Sequence, residues 1–198
     1  DSNQRKVIPA SEILAKIERH EPVDHEGVII DGNLDLSELN LSKVDVEYEL
    51  EGRGSIKKTK LVVQSSININ NSEIRGGVTF ANAVIEEDVN FDGTNFGRDA
   101  DFRGAQFCGI ASFTGAGFEG SALFQNANFG RYADFRNIEF IKSADFRGVQ
   151  FKGPADFRRT RFRRSVDFRG VQFEGYADFR RANFSGSADF GGSQFSEG

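Results

Sequence analysis

The chain has 198 residues, enough for one domain or one compact repeat array with its own core. Phe supplies 21 residues and Gly 22, against three Tyr, three Pro and no Trp or Met, a bias that points to one motif copied many times. The net charge of −5 is too modest to name a partner, the single cysteine excludes an internal disulfide, and no apolar run approaches the roughly 20 residues that span a bilayer. A reducing, cytoplasmic setting is the expectation, with no membrane contact through these residues. The sequence opens on Asp1 rather than Met and ends in mid-pattern, so a longer natural chain is also expected.

Residues 1–27 read as an N-terminal segment with a capping helix. Ser11 to Arg19 carries Ile13, Leu14 and Ile17 on one face, with Ser11 as N-cap and Pro22 as the stop. Residues 28–66 read as a first irregular coil. Leu34/Leu36, Leu39/Leu41 and Val44/Val46 form three five-residue steps, and the polar stretch from about Val46 to Leu61 is an inserted hairpin or loop.

Residues 67–198 are regular. From Phe91 to Phe195 the phenylalanines advance by five and six residues in alternation, and Ile85, Phe80, Ile74 and Ile69 carry the same register backward. Two positions before each Phe sits a small or modest side chain, such as Ala100, Ala122, Ala133 or Val149. Residues two apart on a strand share a side, so each such pair faces one interior and the residue between faces water. Steps of five and six do not fit a helix. Four short segments of 5, 6, 5 and 6 residues close a square coil whose interior holds four Phe and four small partners.

The fold expected is therefore an all-β solenoid, a four-sided parallel β-helix with a short N-terminal helix as its cap. Parallel crossovers favour the right-handed form. Phe102, Phe124, Phe146, Phe168 and Phe190 should stack on one wall, and Phe113, Phe135, Phe157 and Phe179 on the opposite wall, at roughly 4.8 Å per rung. An aromatic contributes about 1.5–3 kcal/mol on burial, so twenty make a core without any cofactor.

The units ADFRG, ANFSG, AQFCG and ADFRR resemble the pentapeptide-repeat family, whose consensus is A-(D/N)-(L/F)-x-x. The resemblance is clear over about 67–198 and looser over about 28–46. It implies a right-handed quadrilateral β-helix. Phe nearly replaces Leu here, and every second repeat carries a sixth residue, which should sit at a corner.

No catalytic, cofactor-binding or metal-binding set stands out. Asp101, Asp134, Asp145, Asp156, Asp167, Asp178 and Asp189 lie beside inward Phe residues, most with Arg two positions on, which reads as surface charge compensation. His20 and His25 near Glu21, Asp24 and Glu26 lack a closed zinc ligand set. Cys108, with no nearby His, is not a nucleophile and should face outward or into a corner. Arg158, Arg159, Arg161, Arg163 and Arg164, joined one coil later by Arg180 and Arg181, form the candidate binding patch. Phe190 and Phe195 are candidates for end-to-end pairing of two chains.

The function expected is a non-enzymatic scaffold whose partner is a protein, with nucleic acid disfavoured because the aromatics are committed to the core. The resemblance adds protection or inhibition of a type II topoisomerase by DNA mimicry as an alternative, although Asp and Arg alternate through the array. A third expectation is a soluble domain of a larger, membrane-associated protein.

Overall fold

The computed structural model describes residues 5–50 and 54–196. From Ile67 onward each coil uses 22 residues: Ile67 pairs with Val89, Val89 with Ala111, Ala111 with Ala133, Ala133 with Ala155, and Ala155 with Ala177, all in parallel. Four parallel faces result, here numbered I to IV in the order the chain visits them. Face I contains Ala133–Asp134, face II Glu139–Phe140, face III Ala144–Asp145 and face IV Gln150–Phe151. Their sheets hold seven, eight, seven and eight strands among the described residues.

The interior is the predicted alternation of large and small. Phe102 lies on Phe124 at 5.0 Å with planes 11° apart, and Phe113 on Phe135 at 5.3 Å. Faces I and III are opposite walls, and their rings meet edge to face: Phe124 and Phe135 are 5.5 Å apart at 88°. Offset stacks along a column and edge contacts across it are the two arrangements the ring quadrupole favours. Alanine opposite each ring, as at Ala122 and Ala133, leaves the space for it. Phe102, Phe113, Phe124, Phe135, Phe146, Phe157 and Phe168 are completely buried, whereas Phe179 and Phe190, in the last described coil, are only partly covered.

Two corner types explain the alternating step. After faces I and III the chain takes a tight turn, as where the Ala116 N–H donates to the Phe113 carbonyl at 2.9 Å with Gly115 at φ +70°. A positive φ at the third turn residue is the type II requirement that favours Gly or Asn. After faces II and IV the sixth residue widens the corner, as at Lys152-Gly153-Pro154. There adjacent rungs touch through backbone: a Cβ on Gly175 would lie 2.6 Å from the Gly153 carbonyl carbon.

At the N-terminal end β1 (Val7–Pro9) pairs with β3 (Ile29–Asp31), and α1 (Ala10–Glu18) crosses the opening between them and β2 (Val23–Glu26). Ile13 and Ile17 are fully buried and join Ile8, Leu34 and Leu36, so α1 closes this end of the core. The helix limits differ from the sequence expectation. It starts after Pro9, and Ser11 lies within its first turn and caps nothing. It stops at His20, whose φ of +59° makes a Schellman end, with His20 N–H on the Ile17 carbonyl at 3.1 Å and Glu21 N–H on that of Lys16 at 2.9 Å. Pro22 follows a helix already ended.

Leu34, in β4 (Leu34–Asp35), Leu36 and Leu41 are buried as expected, but Val44 and Val46 are not a core step. They belong to β5 (Lys43–Leu50), which pairs antiparallel with β6 (Gly54–Val63) as a hairpin on face IV. Only the end of β6, Leu61 to Val63, enters the solenoid by pairing with Ala83 to Ile85. The expected insertion is thus a hairpin, and it begins at Lys43.

Candidate functional site

With the interior filled by hydrocarbon, chemistry is confined to the outer columns, where residues 22 apart are neighbours. Face I has three such columns. Along one edge run Ile110, Tyr132, Pro154 and Tyr176; down the middle, Asp134, Asp156 and Asp178; along the turn, Arg136, Arg158 and Arg180, each followed by Asn137, Arg159 or Arg181.

Each Asp accepts from the N–H of the Arg two residues on and takes that guanidinium in a fork: Arg158 N at 3.0 Å, Nε at 2.9 Å and Nη2 at 2.6 Å from Asp156. The ladder continues between rungs, with Arg136 Nε 3.7 Å from Asp156 and Arg158 Nε 3.5 Å from Asp178. Burial works against the Asp156 charge, but Arg158 and the Tyr132 hydroxyl outweigh it and hold the carboxyl below its usual range. The Arg180 guanidinium does the same for Asp178, against a smaller burial effect. Tyr132 donates to Asp156 at 3.1 Å, and burial with the two neighbouring carboxylates pushes its phenol up to about 12.

Face III is a near copy and serves as an internal reference. Asp145/Arg147 and Asp167/Arg169 make the same forks, with Arg147 Nε 3.6 Å from Asp167. Two differences separate the faces. The edge column of face III is Ser121, Ser143, Ser165 and Ser187, in place of Ile, Tyr, Pro and Tyr. The Asp side chains there are consequently 19 and 25 % exposed at Asp145 and Asp167, against 5 to 8 % at Asp134, Asp156 and Asp178 under the larger edge of face I. The sequence reading of these aspartates as exposed charges therefore fails on face I, and on face III it holds fully only at Asp189, the others being half-buried.

The second difference is in the turn. The left-handed position is Asn82, Gly104, Asn126, Gly148, Gly170 and Gly192 after face III, and Asn71, Gly93, Gly115 and Asn137 in the earlier coils of face I. In the last two coils of face I it is Arg159 and Arg181, at φ +59° and +61°. Both side chains are exposed, and neither has a carboxylate partner among the described residues. With Arg136, Asn137, Arg158 and Arg180 they line a shallow groove of about 360 Å³.

The expected arginine patch is thus split. Arg158, Arg159, Arg180 and Arg181 come together at the corner of faces I and II. Arg161 and Arg163 lie on face II, Arg163 2.6 Å from Glu139, and Arg164 sits at the next corner; none of these three lines the groove. Arg136, Asn137, Tyr132 and Tyr176 were missed, though the 22-residue spacing would have found them. Phe190 rests on Phe168 at 4.8 Å, and Phe195 is 52 % exposed. Cys108 is exposed at the corner after face IV, and partial burial with Glu86 pushes its thiol up. Among the described residues no group of three or more His, Cys, Asp or Glu side chains is placed to hold a metal ion, and no helix is long and apolar enough to cross a membrane.

Coils of four strands, each repeating one pattern of inward Phe and outward ladder, define a tandem-repeat β-solenoid. The family model for pentapeptide repeats (9 copies) matches residues 64–106, 102–150 and 146–194. The match spans more than half of the sequence, and the chain belongs to the pentapeptide-repeat family. No curated protein and no solved structure matches it.

Proposed function

We propose that this repeat scaffold works without catalysis and holds an acidic segment of another protein against face I. The observation that carries this reading is the contrast between faces I and III. The repeat makes them alike, yet only face I replaces Ser with Tyr and Pro along one edge and Gly with Arg along the other. Tyr and Arg dominate the energetics of protein interfaces. Tyr176 is 47 % exposed, and Arg159 and Arg181 add positive charge that the Asp column does not balance. DNA mimicry would need the Asp columns open to a partner. Here Asp134, Asp156 and Asp178 are each covered by the Arg two residues on.

Photo-crosslinking separates the faces. A benzophenone side chain at Tyr176, and another at the equivalent Ser187 edge of face III, are irradiated in cell extract. Capture of a discrete acidic protein from position 176 but not from 187, lost in the R159G/R181G variant, is the expected result. Equal capture from both faces would overturn the assignment.

A further inference from the structure

We propose that the groove at the Arg158–Arg159 corner is a site for a doubly charged oxyanion of the kind a phosphoryl group presents. This rests on the reading of face I as the binding surface and names the group that surface recognises.

Charge is the first argument. Five guanidiniums, those of Arg136, Arg158, Arg159, Arg180 and Arg181, gather beside three carboxylates, those of Asp134, Asp156 and Asp178. The carboxylates are fully engaged by Arg136, Arg158 and Arg180, which leaves an excess of two positive charges on Arg159 and Arg181. A phosphate monoester carries about −1.5 to −2 at neutral pH and matches that excess, whereas one carboxylate meets half of it.

Geometry is the second. Arg159 and Arg181 occupy the same place in successive coils, one rung or about 4.8 Å apart, and both are exposed at the groove. Guanidinium forks at that spacing suit the several oxygens of a tetrahedral anion. The other three arginines are preorganised by their Asp partners. Each uses Nε and Nη2 for Asp, and Nη1 makes no hydrogen bond among the described residues. Those three Nη1 groups are spare donors on residues that line the groove.

The third argument is the backbone. At every other left-handed turn position of these two corner columns the chain has Gly or Asn. A Cβ in that region collides with the following carbonyl oxygen. The turn thus has no need of arginine, and at Arg159 and Arg181 the chain accepts strain to place charge at the groove, as strained residues at binding sites do.

Isothermal titration with inorganic phosphate at pH 7.5 tests the site, with R159G/R181G as the loss variant and R161Q/R164Q as the control that removes the same charge elsewhere. The expected result is single-site binding that falls about tenfold or more in R159G/R181G, the loss of one or more charge-assisted contacts, and is unchanged in R161Q/R164Q. Lowering the pH to 5 should weaken phosphate several-fold, as the dianion takes up a proton and becomes the monoanion, and leave sulfate unaffected. A phosphoserine peptide binding more tightly than inorganic phosphate would identify a modified protein as the source; the reverse order would identify free phosphate. Equal phosphate binding by wild type and R159G/R181G, or equal loss in both variants, would overturn the proposal. If phosphate fails while crosslinking from position 176 still depends on Arg159 and Arg181, the oxyanion is wrong and the protein-binding face stands. If phosphate binds and nothing is captured, the reverse holds.

Discussion

Asp156 makes plain how a side chain directed away from the core becomes a structural part. The Phe157 ring beside it faces inward, so the carboxylate must face outward, yet Arg158, Arg136 and Tyr132 close over it. Its carboxyl is held below the ordinary range, as are those of Asp167, where the Arg169 guanidinium is the main cause, and Asp178, where that of Arg180 is. A carboxyl depressed in the folded state adds stability above its unfolded value near 3.9, and that stability is lost as pH falls through the folded value. The urea midpoint should therefore stay level from pH 7 to about 5 and drop below about pH 4. The D178N variant should start lower and show a flatter acid limb. A wild-type midpoint unchanged down to pH 3 would mean these pairs contribute nothing.

Corners and caps are the elements on which this fold depends, because strands of two residues cannot specify a coil unaided. The narrow corner selects for conformation and the wide corner for space. In G175A the new Cβ would meet the Gly153 carbonyl carbon at 2.6 Å and Pro154 N at 2.8 Å, both backbone atoms that cannot swing aside. Overpacking of that kind costs about 1–3 kcal/mol, which thermal unfolding of the variant will register as a lower midpoint. Much at this scale was legible beforehand, and the exceptions have physical causes. The Phe columns were readable because one side-chain size recurs at each inward site. Val44 and Val46 misled because an i, i+2 apolar pair looks the same in a hairpin strand as in a solenoid wall. β1 was invisible, since three residues before a helix carry no periodicity, and Ser11 cannot cap because the helix already starts at Ala10, behind a Pro9 N-cap with no side-chain acceptor. The binding patch was half legible. Read along the chain it ran from Arg158 to Arg164, but in the fold the neighbours of Arg158 are Arg136 and Arg180, one coil away in either direction.

At the scale of the whole molecule, stability and recognition are separated between inside and outside. The interior repeats almost without variation, so an outer column can change from Ser to Tyr or from Gly to Arg without disturbing the core. That separation lets two of four faces carry the same Asp–Arg ladder while only one of them acquires exposed aromatic and unbalanced cationic edges. The central claim is that Arg159 and Arg181 serve recognition at the expense of the turn that holds them, and melting R159G/R181G by circular dichroism tests it most directly. Relief of the left-handed backbone, about 1–2 kcal/mol per residue, less the roughly 0.5–1 kcal/mol that glycine loses in chain entropy, predicts a midpoint above that of the wild type. A lower midpoint would mean that the arginines hold the solenoid together, and face I would lose its claim to be a binding surface.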